Sequence, residues 1–209
     1  MLFRSSVAEL ATFFERLMFV EQPFHRDVAL SDATAADLLA WRDRPAIIID
    51  ESGGTSDSLR VALAAGYAGT SHKNCKGVFH GIANACLIEH RRRANPQQPL
   101  HISGEDLTNL GPVAVTQDLT VVATLGIRHV ERNGHHYFAG LSQFPDAIQR
   151  DILRHHGDLY MQHSAGYPTV KIEGGRLAIG SLVDAPFGVG FEPDLTQFTP
   201  VEEWRYESM

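Results

Sequence analysis

Two lysines, Lys73 and Lys76, stand three residues apart in the segment TSHKNCKGVFHG, where a strand-like run gives way to a helix-like run. Lysine side chains are mostly exposed, so a solvated loop would explain the pair without any chemistry. A lysine that is partly buried near a cation has a lowered pKa and can act as a base near neutral pH. The residues that end the other strand-like runs help to separate these two explanations.

Carboxylates end the other four strand-like runs of the sequence. In chain order they are Glu21, Asp50 followed by Glu51, Glu105 followed by Asp106, and Glu131. Two carboxylates on adjacent strands repel each other unless a cation lies between them, and oxygen ligands of this kind suit a hard divalent ion such as Mg²⁺. Together with a lysine base, such an ion predicts a reaction that abstracts a proton next to a carboxylate.

The elements that must position these groups are alternating strands and helices. Strands are predicted at 18–20, 46–49, 69–72, 100–103 and 127–130, and helices at 34–41, 57–65, 77–93, 111–125 and 145–155. Alternation of this kind predicts a parallel sheet with helical crossovers. The strand spacing resembles the unit of a (β/α)8 barrel, roughly 31 residues, in which active sites lie at the carboxyl ends of the strands.

A doubly wound α/β sheet is the main alternative fold. It would usually carry G-x-G-x-x-G after an early strand. The nearest candidate, Gly188-Val189-Gly190, lies in the tail and lacks a following helix, so the barrel is favoured. After Tyr160 the chain is rich in glycine and proline. We therefore expect a partial barrel domain at 1–160 and a C-terminal extension at 161–209 with short strands and loops.

Composition excludes several classes of protein. The chain has 209 residues and a formal net charge of −7, which argues against a general nucleic-acid binder. No run is long enough to cross a membrane, and the N-terminus has no apolar signal region. Cys75 and Cys86 form no CxxC pair, so we expect a cytoplasmic protein without disulfides. No H-x-x-x-H-like pair stands out, which disfavours a zinc hydrolase.

The segments FVEQP, IIIDES and KNCKG, in this order, resemble the C-terminal barrel of the enolase superfamily. Within that superfamily they are most similar to the mandelate racemase/muconate lactonizing enzyme group. GEDLTNLGP with the following helix and strand resembles the seventh and eighth barrel units, and EGGRLAIGSLVDAPFGVGFEPD resembles the C-terminal extension. The resemblance covers nearly the whole chain and depends on the order and spacing of the segments.

This resemblance implies a partial (β/α)8 TIM-type barrel and a set of functional residues. Glu21 and Asp50 match metal ligands, with Glu51 as the alternative to Asp50, and the implied cofactor is Mg²⁺ or Mn²⁺. Lys76 matches the catalytic lysine, with Lys73 as the alternative. A lysine in this place fits the muconate-lactonizing pattern better than the racemase subgroup, which uses a histidine after the seventh strand.

The implied activity is that of a racemase, cycloisomerase or dehydratase acting on a small carboxylate-containing substrate. His135 and His136, in the loop after the last strand, and Glu105 are candidate substrate-binding residues. A polar loop with no ligand is the alternative for the two histidines. We expect no nucleic-acid or membrane partner, and a homo-oligomer for a complete member of the family.

The sequence also departs from the family. Ser6 and Glu9 form an S-x-x-E capping box at the first helix, with no strand before it. The family's aspartate ligand after the third strand, its lysine pair after the second strand and its N-terminal cap are missing. We therefore expect an N-terminally truncated member that is inactive as written. A non-catalytic barrel fragment or interaction module is the alternative.

Overall fold

The computed structural model of the chain describes residues 11–105, 108–132, 134 and 137–205. The chain divides between Gly104 and Glu105 into two compact units. The predicted capping box at Ser6 and Glu9 lies outside the described residues. Within the described ranges, every helix is too short or too polar to cross a membrane.

The first unit alternates strands with helices, as the sequence predicts. Its elements are α1 (Ala11–Arg16), β1 (Val20–Glu21), α2 (Arg26–Ala29), α3 (Asp32–Ala40), β2 (Ile47–Ile49), α4 (Ser58–Ala64), β3 (Gly69–His72), a 3₁₀ turn (Asn74–Lys76), α5 (Val78–Ala94) and β4 (His101–Glu105). The division between the units falls just before the last residue of β4. The predicted helices and strands of this unit within the described residues are present, with ends shifted by at most two residues.

The strands of the first unit are parallel and follow chain order. Val20 of β1 pairs with Ile47, Ile48 pairs with Gly69, and Gly69 pairs with His101. Within this unit the strand order is β1-β2-β3-β4. A doubly wound sheet reverses its strand order at a switch point, and no reversal occurs here. A mixed α/β fold with a parallel sheet is thus confirmed, and a TIM-type barrel stays a prediction.

Burial explains why β2, a strand with a neighbour on each side, forms where it does. All three isoleucines of β2 are buried, as expected for a parallel strand covered on both faces. Ile47 and Ile49 pack in a cluster with Leu38 of α3 and with Tyr67, whose hydroxyl donates to the Ala29 carbonyl at 2.6 Å. This core fixes the position of the loop that follows β2.

Gly69 allows β3 and β4 to approach each other. A Cβ atom at this position would lie only 1.8 Å from the His101 carbonyl oxygen. Any side chain would therefore push the two strands apart. Since the carboxyl ends of β3 and β4 carry candidate site residues, this glycine helps to bring them to one edge of the sheet.

The second unit begins with Glu105 and has its own core. Its further elements are α6 (Ala114–Thr124), β5 (Val130–Glu131), α7 (Asp146–His155), β6 (Tyr160–Gln162), β7 (Pro168–Val170), α8 (Gly180–Val183) and two 3₁₀ turns (Pro186–Gly188 and Leu195–Gln197). The β6–β7 pair is an antiparallel hairpin. Leu182 of α8 packs in one buried cluster with Leu119 of α6 and Ile152 of α7. The tail therefore shares a core with α6 and α7, and the domain boundary at residue 160 stays a prediction.

Two strands begin two or more residues later than the sequence predicts. β1 begins at Val20 rather than at residue 18, and β5 begins at Val130 rather than at residue 127. Ile127 is buried nonetheless, at 6% exposure. Ile127 therefore contributes to packing without joining a described strand, and hydrophobicity alone does not distinguish the two cases.

Candidate metal and acid–base site

The candidate residues of the first unit lie at one edge of the parallel sheet. Glu21 ends β1, Asp50 follows β2 directly, and Lys73 follows β3 directly. In a parallel sheet built in chain order, the carboxyl ends of all strands point to the same edge. The sequence positions at strand ends therefore become neighbours in space.

Asp50 is the centre of the site. Its side chain is 5% exposed, and each carboxylate oxygen bonds a different lysine: Lys73 Nζ lies 2.8 Å from Oδ2, and Lys76 Nζ lies 2.8 Å from Oδ1. The two lysine side chains are only 11% and 16% exposed. Charged groups this deeply buried are stable only when they are paired and hydrogen-bonded. The two lysines of the opening motif are thus not solvated loop residues.

The protonation state of Asp50 follows from its partners. Burial acts to raise the pKa of this carboxyl, because a buried charge is poorly solvated. Hydrogen bonds from Lys73 and Lys76, with their positive charges, outweigh burial, and the pKa of Asp50 is lowered below its ordinary value. Asp50 is therefore a carboxylate at neutral pH.

Lys76 is held by several acceptors. Besides the Asp50 carboxylate, its ammonium donates to the Asp50 carbonyl oxygen at 2.7 Å and to the Ser71 carbonyl oxygen at 3.3 Å. These three acceptors match the three N–H donors of a lysine ammonium. A Cβ atom at Gly53 would lie 3.0 Å from the same Asp50 carbonyl oxygen and 3.5 Å from Lys76 Nζ. Gly53 thus leaves room for the lysine.

Gln22 is a site residue that sequence reasoning missed. Its side-chain oxygen accepts hydrogen bonds from the backbone N–H groups of Asp50 at 2.7 Å and Ser52 at 3.1 Å. Its side-chain amide donates to Ser52 Oγ at 2.8 Å. Gln22 therefore holds the loop that carries Asp50. The available signal was its place directly after Glu21, in the EQP segment.

Three carboxylates form an acidic cluster that could hold a metal ion. Glu21, Asp50 and Glu105 each offer an oxygen atom, and these atoms lie within 4.8 Å of one another. Glu105 is the last residue of β4, whose preceding residues pair with β3. Oxygen atoms bound on opposite sides of one ion are about 4.2 Å apart for Mg²⁺ and about 5 Å apart for Ca²⁺. Separations of up to 4.8 Å lie within the span of Ca²⁺, whereas Mg²⁺ would require the carboxylate oxygens to lie within about 4.2 Å of one another.

The remaining predicted residues are placed differently. Glu51 is exposed and does not belong to the acidic cluster, although it is adjacent to Asp50. Glu105, expected to contact substrate, lies in the acidic cluster. His135 and His136 lie outside the described residues. The structure thus brings together Glu21, Asp50 and both lysines but leaves Glu51 at the surface.

A second cluster contains serine, histidine and aspartate but lacks the order that nucleophilic catalysis needs. His156 accepts a hydrogen bond from the Gly190 N–H at Nε2, 2.9 Å away, so Nδ1 carries the proton and donates to Ser181 Oγ at 2.9 Å. Ser181 Oγ in turn donates to Asp158. The serine hydroxyl therefore donates its hydrogen bond to the aspartate, whereas a catalytic serine would donate it to the histidine. These bonds connect the end of α7 to α8 and to the tail.

The protonation of His156 agrees with this structural role. Burial lowers its pKa below the ordinary value, opposed by the charge of Asp158 and assisted by that of His155. A neutral imidazole is the form that can accept a hydrogen bond from Gly190 at Nε2. His156 thus stabilises the fold of the second unit.

No family model, curated protein or solved structure matches this chain. Membership of the enolase superfamily therefore stays a prediction from the sequence.

Proposed function

We propose that this chain carries the acid–base and metal-binding groups of an enolase-superfamily enzyme that abstracts a proton α to the carboxylate of a small substrate. The observation that supports this function is the convergence of Lys73 and Lys76 on the buried Asp50 carboxylate, beside Glu21. Racemase, cycloisomerase and dehydratase reactions all begin with this proton transfer. The proposal concerns the class of reaction, and it includes a TIM-type barrel as the fold that carries the site.

The acidic cluster would hold the divalent ion, for which the resemblance suggests Mg²⁺ or Mn²⁺. When bound, such an ion offsets the negative charge that develops on the substrate carboxylate as the α-proton leaves. Asp50 has a second task, since its two oxygens orient both lysine ammonium groups. Gln22 keeps Asp50 in place through the backbone of the loop that follows β2.

One of the two lysines serves as the base. It must first lose a proton, and a neutral amine no longer forms an ion pair with Asp50. The other lysine then remains as an ammonium group that neutralises Asp50. Because both Nζ atoms lie 2.8 Å from the same carboxylate, the pair can exchange these tasks with little movement of the backbone. Lys76 is our first choice for the base and Lys73 the second, as the sequence resemblance implies.

A non-catalytic module is the second candidate, and one observation favours it. Each oxygen of the Asp50 carboxylate accepts a hydrogen bond from an ammonium group. A purely structural ion network would pair its charges in the same way. In that case the lysines would stabilise the sheet edge and would never act as bases. The two candidates differ in whether a neutral lysine is ever formed and whether a cation binds.

The chain offers a convenient test, because Lys73, Lys76 and Lys171 are its three lysines. The side chain of Lys171 is 36% exposed and pairs with Glu173 at 3.1 Å, so Lys171→Ala is a matched control. Exchange of α-protons is measured by NMR in D2O with Mn²⁺ and a panel of 2-hydroxy, 2-amino and 2-aryl carboxylates. The sequence leads us to expect little or no exchange in the chain as written; any exchange that the wild type shows should persist in Lys171→Ala and fall on the order of 10²-fold or more in Lys76→Ala.

The same experiment identifies the base and can reject the proposal. Loss of α-proton exchange in Lys73→Ala, with unchanged exchange in Lys76→Ala, would show that Lys73 is the base. Mn²⁺ binding is followed separately by electron paramagnetic resonance in the wild type and in Glu21→Gln. Absence of exchange with every carboxylate, combined with Mn²⁺ binding that is indifferent to Glu21→Gln, would leave only the non-catalytic module.

A further inference from the structure

The second unit contains a cavity of about 300 Å³ that the site described above does not use. The cavity lies beside the β6–β7 hairpin and the segment that leads into α6. Most of its wall is apolar and includes Leu110, Val115, Leu141, Val170 and Ile172. Small-molecule sites are typically of this kind, with apolar walls and a few placed polar groups.

The first polar group in this wall is the hydroxyl of Tyr160. This residue is 2% exposed, and its hydroxyl forms no hydrogen bond with any described residue. A buried donor without a partner is rare in folded proteins, and it calls for an explanation such as an absent ligand. The neighbouring backbone leaves space for the hydroxyl, because a methyl group at Gly111 would overlap with it.

The second polar group is the guanidinium of Arg132, which lines the same cavity. Burial raises the pKa of Tyr160, and the positive charge of Arg132 acts in the opposite direction. The phenol therefore stays protonated at neutral pH and can donate a hydrogen bond. A cation and a hydroxyl donor in an apolar wall are suited to an anion with an apolar body.

We propose that this cavity binds a small carboxylate with an aromatic or branched apolar body. The carboxylate accepts hydrogen bonds from the Tyr160 hydroxyl and the Arg132 guanidinium, and the apolar body packs against Leu141 and Val170. The site is built from residues of the second unit alone, so it does not rest on the function proposed for the acidic cluster.

The test uses benzoate as the probe, with benzamide as its neutral isostere and inorganic phosphate as an anion without an apolar body. Binding to the full chain is measured by calorimetry and by shifts of the backbone amide signals. We expect benzoate to bind at least tenfold more tightly than benzamide or phosphate. Arg132→Met should remove this preference for the anion. Tyr160→Phe should weaken benzoate binding about tenfold, the effect of one hydrogen bond to a charged group.

Tyr67 provides a matched control for Tyr160, since both are buried tyrosines but, among the described residues, the Tyr67 hydroxyl has a partner, the Ala29 carbonyl, and the Tyr160 hydroxyl has none. In the protein without benzoate, Tyr67→Phe should lower the melting temperature, whereas Tyr160→Phe should leave it unchanged or raise it. If the melting temperature falls as much in Tyr160→Phe as in Tyr67→Phe, the Tyr160 hydroxyl already has a partner, such as a water molecule. That result would overturn the proposal.

Two further results would also overturn it. One is equal affinity for benzoate and benzamide, or no binding of benzoate at all. The other is benzoate affinity that falls in Lys76→Ala but not in Tyr160→Phe, which would place the anion at the lysine pair of the first unit. Loss of α-proton exchange in Lys76→Ala with intact benzoate binding would support both proposals independently.

Discussion

Replacement of Asp50 by asparagine is the perturbation with the largest expected effect on stability. Asp50→Asn keeps the shape of the side chain but removes the charge that both lysines share. Each Nζ–oxygen distance is 2.8 Å. At an effective dielectric constant of about 20, one such ion pair corresponds to about 6 kcal/mol of attraction before the desolvation of the ions is subtracted.

The net loss is smaller than this attraction, because burial of the three charges is itself costly. Removing one partner of a buried ion pair typically costs about 3–5 kcal/mol, since the remaining charge stays buried without compensation. Lys73 and Lys76 retain some exposure, at 11% and 16%, so we expect the lower end of this range, about 3 kcal/mol. In a protein of this size that corresponds to a fall in melting temperature of roughly 6–12 °C.

The assay is urea unfolding at neutral pH, followed by circular dichroism, with two controls. Asp57→Asn removes a carboxylate that pairs with Arg60 at the surface, where the two side chains are 54% and 61% exposed, and it should have little effect. A triple variant with Asp50→Asn, Lys73→Met and Lys76→Met removes all three charges and should be more stable than Asp50→Asn alone. If Asp50→Asn were as mild as Asp57→Asn, the ion network would not be the buried, mutually dependent unit described here.

Three further predictions concern the loop, the acidic cluster and the second unit. Gln22→Leu should lower stability by about 1–3 kcal/mol, because the N–H groups of the loop lose their acceptor, and urea unfolding measures this change. Glu21→Gln should weaken Mn²⁺ binding, measured by electron paramagnetic resonance, while Glu51→Gln leaves it unchanged. The reverse result would show that Glu51, and not Glu21, is a metal ligand. For His156 the folded-state pKa is lowered, so between that value and the unfolded value of about 6.5 the unfolded state binds more protons. Stability should therefore fall as the pH drops below about 6.5, and His156→Gln should flatten this dependence in melting curves recorded between about pH 7.5 and pH 5.

The alternation of strands and helices could be predicted from the sequence because it depends on local patterns. β3 occupies the predicted residues, and α3, α4, α5, α6 and α7 lie within a few residues of the predicted helices. Turn residues and helical periodicity are short-range signals, and they survive in the folded chain. The same patterns place an ionisable group at the end of every predicted strand. Because a parallel sheet brings those ends to one edge, the sequence also predicts that these groups are neighbours.

The tertiary structure decided which side chains meet at that edge. Asp50 and Glu51 are adjacent and carry the same chemical group, yet Asp50 is buried against two lysines and Glu51 is exposed. Asp50 directly follows β2 and Glu51 lies in the turn beyond it, so the register of the sheet and the path of that turn determine which carboxylate faces inward. Register depends on pairing partners that are distant in sequence, which local patterns do not specify.

The same reason applies to Gln22 and to Tyr160. The sequence determined that a polar residue follows Glu21 and that a tyrosine stands near the end of a helix. Only the folded chain brings the Gln22 amide within 2.7 Å of the Asp50 backbone and leaves the Tyr160 hydroxyl buried without a partner among the described residues. Hydrogen bonds act over about 3 Å, and long-range packing decides whether a suitable group lies within that distance.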